Sequence, residues 1–189
     1  MILSDRDIKK YLKEGKLKIE PLNEDRIEGA SIDLTLGNEF RIFKVTAMPF
    51  IDPKNVTEGY TEVIRVEEGK PFILHPGEFV LGCVKEYIKI PEDLMGIVDG
   101  RSSLGRLGVI VHATAAAMNP GWEGKFVLEI TNVGKMPVAL YPGMRICKLV
   151  LHKLSSTAEK PYYKKKNAKY HKQKSIEESK IFQEFKKDD

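Results

Sequence analysis

The chain has 189 residues, of which 42% are hydrophobic and 31% are charged, and it carries a formal net charge of +4. This balance excludes an intrinsically disordered chain, and the apolar runs are far shorter than the roughly 18 residues that a membrane-spanning helix needs. One domain with a tail is expected at this length. The start, MILSDRDIKKYL, lacks the apolar core of a signal peptide, so a cytoplasmic protein without a membrane partner is expected.

The first predicted element is a short helix in LSDRDIKKYLKEGKL. Ser4 stands at the N-cap position, and Asp7, three residues later, has the position of a capping box. Ile8 and Leu12 recur at helical spacing, and Gly15 can end the helix. The pattern is therefore typical of a short amphipathic helix.

From residue 31 onward the pattern changes to short strands separated by turns. SIDLTLGNEFRIF alternates apolar and polar side chains, with a predicted turn at Gly37 and Asn38. Further runs bounded by turn residues are TEVIRV, PFIL, EFVLGCVKEYIKI, LMGIVDG, GVIVHAT, KFVLEITNV, PVALY and MRICKLVLHKL. Such a series predicts an all-β barrel or sandwich with short helices. SIEESKIFQEFKK, near the end of the chain, is a candidate for a short terminal helix.

Cysteines and histidines give no sign of a metal site. Cys83 and Cys147 lie in separate apolar runs, so buried free thiols are expected rather than a disulfide. The zinc-dependent nucleobase deaminases need HxE and PCxxC motifs, and both are missing from the sequence. We therefore expect no zinc.

The stretch DGRSSLGRLG, residues 99–108, places arginines, serines and glycines between two predicted strands. Hydroxyl groups, guanidinium groups and free backbone N–H groups are what a phosphate chain requires. Arg101, Ser102, Ser103 and Arg106 are therefore candidates for binding an anion. The alternative is a polar connection between strands, because exposed loops are usually polar.

Glu129 is a single carboxylate inside the strand-like run KFVLEITNV. Alternation places Phe126 and Leu128 on one face and Val127 and Glu129 on the other. Glu129 then lies either on a solvent face or in a partly desolvated site, where it could act as general base and general acid. His112, alone in GVIVHAT, is a weaker candidate, because a lone histidine in an apolar strand is more often structural.

The segment KPYYKKKNAKYHKQK, residues 160–174, has seven lysines and no acidic residue. A local excess of positive charge favours a polyanionic partner. Tyr162, Lys169 and Gln173 could close over a phosphorylated ligand or contact RNA. The alternative is a solvated tail.

Together these motifs resemble the deoxycytidine triphosphate (dCTP) deaminases of the dUTPase superfamily. The matching stretches stand in family order and cover nearly the whole chain: MILSDRDI, GASIDLTLGNEF, HPGEFVLG, IPEDLMGIVDGRSSLGRLGVIVHATA, NPGWEGKFVLEITNVGKMPVALYPGMRI and PYYKKKNAKYHKQ. The combination of GRSSLxRLG with PGWxGxxxLE is specific, whereas neither half alone would be.

The resemblance implies a distorted, jelly-roll-like β-sandwich, the dUTPase fold, assembled as a homotrimer with active sites between subunits. Residues 1–158 would form the β-domain with its N-terminal helix, and residues 159–189 would form a basic segment that closes over the nucleotide. Mg²⁺ would bind through the triphosphate of the nucleotide and not through protein ligands.

The resemblance also implies roles for single residues. Glu129 would take a proton from the water that attacks C4 of cytosine and pass it to the departing amine. Ser102 would help to orient that water, and Arg106 would serve the phosphates and the catalytic site. The other implied substrate-binding residues are Arg101, Ser103, His112, Ala113, Thr114, Ala115, Asn119, Trp122, Tyr162, Lys169 and Gln173.

The stretch TAAAMNPGW departs from the TAHRIDPGW that is typical of the family. Ala116, Ala117, Met118 and Asn119 replace a histidine, an arginine, an isoleucine and an aspartate. In the superfamily that aspartate contacts the deoxyribose 3′-hydroxyl, and in dUTPases it helps to activate the hydrolytic water. Asn119 can hydrogen-bond a hydroxyl but cannot act as a base, which argues against dUTP hydrolysis.

The leading hypothesis is a dCTP deaminase that releases dUTP and ammonia and so supplies dUTP for thymidylate synthesis. The second is a dUTP diphosphatase, or a bifunctional enzyme that converts dCTP to dUMP, because bifunctional family members also lack the histidine–arginine pair. The third is a non-catalytic nucleotide-binding protein; a nucleic-acid partner is not favoured.

Overall fold

The computed structural model describes residues 1–44, 46–56 and 58–185. These ranges contain the helices α1 (Asp5–Lys13) and α2 (Ser102–Gly105) and 3-10 helices at Glu24–Arg26, Tyr162–Lys164 and Ile181–Phe185. Their strands are β1 (Lys18–Glu20), β2 (Ile27–Glu28), β3 (Ser31–Phe43), β4 (Thr61–Arg65), β5 (Phe72–Leu74), β6 (Phe79–Lys89), β7 (Leu94–Gly100), β8 (Val109–Ile110), β9 (Ala117–Met118), β10 (Glu123–Asn132), β11 (Val138–Leu140) and β12 (Arg145–Lys153). The predicted β-rich fold with short helices is confirmed.

Within the described residues, ten strands form one curled antiparallel sheet. Its main order is β8-β10-β6-β3-β12-β7-β9, with β1 on β6 and with β2 and β4 on β3. The first half of β3 pairs with β12 and its second half pairs with β6. The long β3 strand therefore passes from one layer of a distorted sandwich to the other.

The turn that the sequence predicts at Gly37 and Asn38 is wrong, because β3 continues through both residues. The pairing of β3 with β6 instead shifts register between Leu36 and Phe40. Gly37 suits this irregularity, since a Cβ there would lie 3.0 Å from the carbonyl oxygen of Cys83. The glycine thus marks a close approach of two strands and not a chain reversal.

The apolar side chains between the two layers form the core. Phe40 and Phe72 stack there with ring centroids 4.2 Å apart. Cys83 and Cys147 are buried free thiols, as predicted. Burial raises the pKa of Cys83 to about 11, so this thiol stays neutral near pH 7.

The N-terminal helix forms where the sequence predicts it. Asp5 and Asp7 lie in its first turn and Lys10 and Lys13 in its last, as the helix dipole favours. The Ser4 hydroxyl donates to Asp7 Oδ2 at 3.3 Å and does not cap a backbone N–H group. Ile8 is completely buried, so it anchors the helix on the sheet.

Residues 159–185, here called the C-terminal segment, cross the outside of the sheet. The Tyr162 N–H donates to the Pro120 carbonyl oxygen at 2.7 Å. In place of the terminal helix predicted for residues 175–187, the described part of this stretch contains a 3-10 helix at Ile181–Phe185; residues 186 and 187 lie outside the described ranges. No helix within those ranges is long and apolar enough to cross a membrane.

Candidate active site

Glu129 lies in β10 on the face of the sheet that points away from the core. Leu128 and Ile130 are completely buried, whereas Val127 and Glu129 are half-buried. Leu81 of β6 lies directly opposite Glu129 in the ladder. The predicted alternation of β10 is therefore confirmed, and Glu129 stands on a partly covered, apolar surface.

The loop between β8 and β9 holds the Glu129 carboxylate. The N–H groups of Ala113 and Thr114 both donate to Oε2 of Glu129 at 2.9 Å. The Thr114 hydroxyl lies 3.3 Å from Oε1. Two backbone donors on one oxygen orient the carboxylate, and Oε1 keeps the capacity to accept a hydrogen bond from water or a ligand.

Glu129 contributes to the wall of a cavity of about 370 Å³, here called the Glu129 pocket. This volume lies within the range that is usual for small-molecule sites. The lining residues are Leu81, Ala115, Ala117, Asn119, Trp122, Phe126, Val127, Glu129, Tyr162, Tyr170, Gln173, Glu177, Glu178 and Ser179. The structure therefore brings six of the predicted site residues together in one pocket, with Ala113 and Thr114 on the Glu129 carboxylate.

The three consecutive alanines do not have one common role. Ala115 and Ala117 line the Glu129 pocket beside Asn119. Ala116 is half-buried, and its carbonyl oxygen accepts a hydrogen bond from the Val98 N–H at 2.8 Å. Small side chains at positions 115 and 117 therefore leave room in the pocket, while position 116 ties the loop to the sheet.

The glycines of the PGWEG stretch allow the C-terminal segment to pack closely against the chain at the start of β10. Gly121 has a φ of +76°, and a Cβ there would lie 2.7 Å from Cβ of Pro161. Gly124 has a φ of +147°, and a Cβ there would lie 3.1 Å from backbone atoms of Gln173. Trp122, between the two glycines, is 6% exposed and forms part of the pocket wall. The glycines thus permit a backbone approach that places the C-terminal segment over the pocket.

Gln173 bonds the C-terminal segment to β10. Its Nε2 donates to the Lys125 carbonyl oxygen at 2.8 Å, and its own carbonyl oxygen accepts from the Lys125 N–H at 2.9 Å. Its Oε1 is buried and has no hydrogen-bond partner among the described residues. A buried acceptor without a donor is costly, so a ligand that brings an N–H or O–H group would satisfy it.

The predicted phosphate-binding residues lie outside the Glu129 pocket of their own chain. Ser102 and Ser103 in α2, and Arg106 directly after it, are exposed. Arg101 precedes α2, and its guanidinium group forms an ion pair with the completely buried carboxylate of Asp33. The sequence analysis places this stretch between two strands without predicting a helix, whereas the structure contains a one-turn helix here with its polar side chains exposed.

His112 and Lys169 are also absent from the lining of the Glu129 pocket. His112 is half-buried and directly precedes the loop residue Ala113. Lys169 forms an ion pair with Glu184. The described structure of a single chain therefore does not place either side chain in the pocket wall.

The sequence reasoning missed several lining residues, among them Tyr170, Glu177 and Glu178. Tyr170 follows the predicted Lys169, and its hydroxyl accepts a hydrogen bond from the Lys180 N–H at 2.9 Å. The two glutamates fall in the stretch that was predicted as a terminal helix. Because residues 175–180 are not helical, the chain passes over the pocket there.

The model of the dCTP deaminase-like family matches residues 2–154. A relative from Dictyoglomus thermophilum, named "dCTP deaminase, dUMP-forming", is 56% identical over 188 residues, which are 98% of this chain and 97% of that protein. The chain belongs to the dCTP deaminase family. A relative from Methanosphaera stadtmanae with the same name is 50% identical over 188 residues, 97% of this chain and 95% of that protein.

Solved structures agree with this membership at the level of the fold. The 2′-deoxycytidine 5′-triphosphate deaminase from Agrobacterium tumefaciens has a TM-score of 0.63 at 23% identity, and the match covers 80% of this chain and 47% of that chain. The EIAV dUTPase has a TM-score of 0.50 at 17% identity, over 77% of this chain and 93% of that chain. This member of the dCTP deaminase family therefore has the dUTPase-like fold that its motifs predict.

Proposed function

We propose that this chain removes the exocyclic amine of dCTP, with Glu129 as the proton shuttle. The observation that carries the proposal is the half-buried Glu129 carboxylate in a nucleoside-sized pocket, with Oε2 fixed by the Ala113 and Thr114 N–H groups. Its other oxygen retains capacity for a water molecule. The names of the two relatives support dCTP as the substrate.

In the proposed reaction, water adds to C4 of cytosine and ammonia leaves. Glu129 accepts a proton from the water as the new C–O bond forms, and then passes that proton to the amine as the C–N bond breaks. The carboxylate is ionised again at the end, so one group serves as base and acid. Because a proton shuttle contributes roughly 10²–10⁴-fold, the ordered placement of water and substrate supplies the rest.

Residues from the sheet and its loops, together with residues from the C-terminal segment, would hold the nucleoside. Tyr162 and Trp122 provide apolar walls for the base, and the Asn119 amide can hydrogen-bond a sugar hydroxyl. The buried Oε1 of Gln173, which has no hydrogen-bond partner within the described part of the chain, would accept from a donor on the nucleotide, such as the 4-amino group or the 3′-hydroxyl.

We propose that the phosphate contacts come from a neighbouring subunit of a homotrimer. Ser102 and Arg106 are exposed and lie outside the pocket of their own chain. Leu107 and Val133 beside them are 56% and 66% exposed, and the Val133 N–H donates to the Gly108 carbonyl oxygen at 2.8 Å, so the two loops adjoin. If a second copy covered this apolar surface, α2 of the first chain would lie next to the Glu129 pocket of the second copy.

Mg²⁺ is proposed to enter the site on the triphosphate of the substrate. Phosphate oxygens and water are its preferred ligands at nucleotide sites. Among the described residues, no group of three or more His, Cys, Asp or Glu side chains is arranged to hold a metal ion. In this arrangement the phosphate groups of the nucleotide and water, and not protein side chains, would hold the Mg²⁺ ion.

We further propose that the final product is dUMP. The support is the "dUMP-forming" name of both relatives, whose similarity spans nearly the whole chain. Release of dUTP is the second candidate, and Asn119 favours it, because an amide cannot act as the base for the second hydrolytic water. If dUMP forms, the carboxylates that line the pocket are candidates for that base: Glu129 is held by uncharged donors among the described residues, whereas Glu177 forms an ion pair with Lys180 and Glu178 with Arg41.

The experiment is an assay of the purified protein with dCTP and Mg²⁺, followed by quantification of ammonia and separation of the nucleotides. Ammonia with dUMP is expected. Ammonia with dUTP as the stable product would support the second candidate. Nucleotide binding without ammonia would contradict deamination altogether.

A further inference from the structure

A cluster of polar side chains fastens the C-terminal segment to β3 and β4 at a point away from Gln173. Arg41 of β3 donates through Nε to the Ile176 carbonyl oxygen at 3.1 Å, and through Nη1 to Thr61 Oγ1 at 2.7 Å and to Glu178 Oε1 at 3.0 Å. The Thr61 hydroxyl also donates to Glu178 Oε1. We call Arg41, Thr61 and Glu178 the latch.

Arg41 of the latch and Glu129 lie in one row across the neighbouring strands β3, β6 and β10. Arg41 pairs with Leu81 of β6, and Leu81 pairs with Glu129 of β10. Directly opposed residues on antiparallel strands project to the same face of the sheet. Two strand spacings place Arg41 about 10 Å from Glu129, measured between backbones.

Residues 173–178, here called the strap, span this distance. Gln173 is bonded to Lys125 at one end, and Glu178 is bonded to Arg41 at the other. Ile176, whose carbonyl oxygen also accepts from Arg41, is 2% exposed. Because Gln173, Glu177 and Glu178 line the Glu129 pocket, the strap forms one of its walls.

The latch bonds are of a kind that can hold a segment of chain in place. The side chains of Arg41 and Glu178 are 18% and 30% exposed, so solvent and salt screen this pair less than a fully exposed one. Hydrogen bonds in which both groups are charged are also stronger than neutral ones. Residues 175–180 contain no helix of their own, and the latch bonds Ile176 and Glu178 of this stretch to the sheet, while Lys180 bonds to Tyr170 within the C-terminal segment.

We propose that Arg41 and Glu178 are positioning residues that keep the strap closed over the Glu129 pocket and thereby set the affinity for the nucleotide. The catalytic part of this inference rests on the proposed function. When the latch is absent, the closed pocket is one of several arrangements of the strap, and apparent affinity falls in proportion to the closed fraction. The chemical step in the closed complex is unchanged, because neither residue touches the Glu129 carboxylate.

A second ion pair on the same two strands provides a matched control. Glu39 of β3 lies opposite Arg65 of β4, and Arg65 Nε is 2.8 Å from Glu39 Oε1. Within the described ranges, the hydrogen bonds of this pair do not reach the strap. Glu39→Ala therefore removes the same type of side chain from a neighbouring ion pair and leaves the latch intact.

The test compares Glu178→Ala with Glu39→Ala in the full-length protein. For dCTP turnover, Glu178→Ala is expected to raise KM about tenfold and to leave kcat within about twofold, whereas Glu39→Ala changes neither. An Arg41→Ala/Glu178→Ala double variant is expected to have the KM of Arg41→Ala alone, because both changes open one latch. Equal KM values for Glu178→Ala and Glu39→Ala would overturn the proposal.

Hydrogen–deuterium exchange of the strap without nucleotide tests the latch independently of any activity. Exchange in residues 174–180, which comprise most of the strap and the two residues after it, is expected to be about tenfold faster in Glu178→Ala and unchanged in Glu39→Ala, with β10 unaffected in both. Unchanged exchange of the strap in Glu178→Ala would overturn the latch even if dCTP is the substrate. Faster exchange in a protein that does not turn over dCTP would refute the proposed function and retain the latch.

Discussion

Glu129 differs in its partners from Asp33 and Glu86, the two completely buried carboxylates of the described sheet. Asp33 and Glu86 are completely buried, and each forms an ion pair with arginine: Asp33 with Arg101 and Glu86 with Arg26. Glu129 is half-buried and, among the described residues, is held by uncharged donors only. The paired carboxylates maintain the fold, whereas Glu129 remains available to a water molecule.

Replacement of Glu129 by glutamine tests its role in the chemical step. A glutamine at this position would keep the size of the side chain but could not accept a proton. Glu129→Gln is expected to abolish ammonia release and to leave dCTP affinity, measured by calorimetry, within about tenfold, because the lost group acts mainly in the transition state. Retention of more than about a tenth of the wild-type rate would refute the shuttle.

Asn119 is one of the residues at which this chain departs from the family pattern, with an amide in place of a carboxylate. It lines the pocket, and the hydrogen bonds of the Glu129 carboxylate within the described residues come from Ala113 and Thr114 instead. Asn119→Asp is therefore expected to leave the rate of ammonia release from dCTP within about threefold, since either side chain can accept from a sugar hydroxyl. A loss of a hundredfold would show that the amide itself is required.

At the scale of elements, the contact between the PGWEG stretch and the C-terminal segment forms the pocket. Gly124→Ala adds a Cβ 3.1 Å from the Gln173 backbone at a φ of +147°. We expect this variant to unfold about 2–6 °C below the wild type and to bind dCTP several-fold more weakly. Gly29→Ala is the control, because a Cβ there meets nothing within 4 Å and the φ is not positive. Similar melting temperatures and affinities for both variants would contradict this account.

Periodicity predicts most of the strands and the face on which Glu129 lies, because a two-residue repeat reports which side of a strand is buried. It fails at Gly37, where a glycine–asparagine pair is typical of a turn but the chain passes through a strand irregularity. It also fails for α2, because one helical turn is too short to produce a repeat. Local patterns of this kind carry no information about close contacts between distant segments.

In the Glu129 pocket, too, local patterns indicate some of the residues, whereas contacts between distant segments place the others. Alternation in β10 identifies Glu129, but the position of Gln173 depends on a contact between residues 124 and 173. The basic, aromatic composition of residues 160–174 and the family resemblance, and not periodicity, indicate Tyr162 and Gln173. Neither local sequence patterns nor family resemblance indicate Glu178, because its partner Arg41 lies 137 residues away in the sequence.

At the scale of the whole molecule, the separation of Arg106 from the Glu129 pocket predicts complementation between subunits. Glu129→Gln and Arg106→Ala are each expected to be inactive alone. If each site takes Glu129 from one chain and Arg106 from its neighbour, random mixed trimers contain intact sites at about a quarter of positions. Co-expression of the two variants is therefore expected to restore about a quarter of wild-type activity. Absence of any recovery in mixed oligomers would place both residues of a site in one chain.

A time course of all products from dCTP and Mg²⁺ with the wild-type protein tests the proposed reaction most directly. Ammonia, pyrophosphate and dUMP are expected to rise together in equal amounts without accumulation of dUTP, and all three are expected to be absent with Glu129→Gln. Ammonia without pyrophosphate would contradict the proposed product, and consumption of dCTP without ammonia would contradict deamination at the Glu129 pocket.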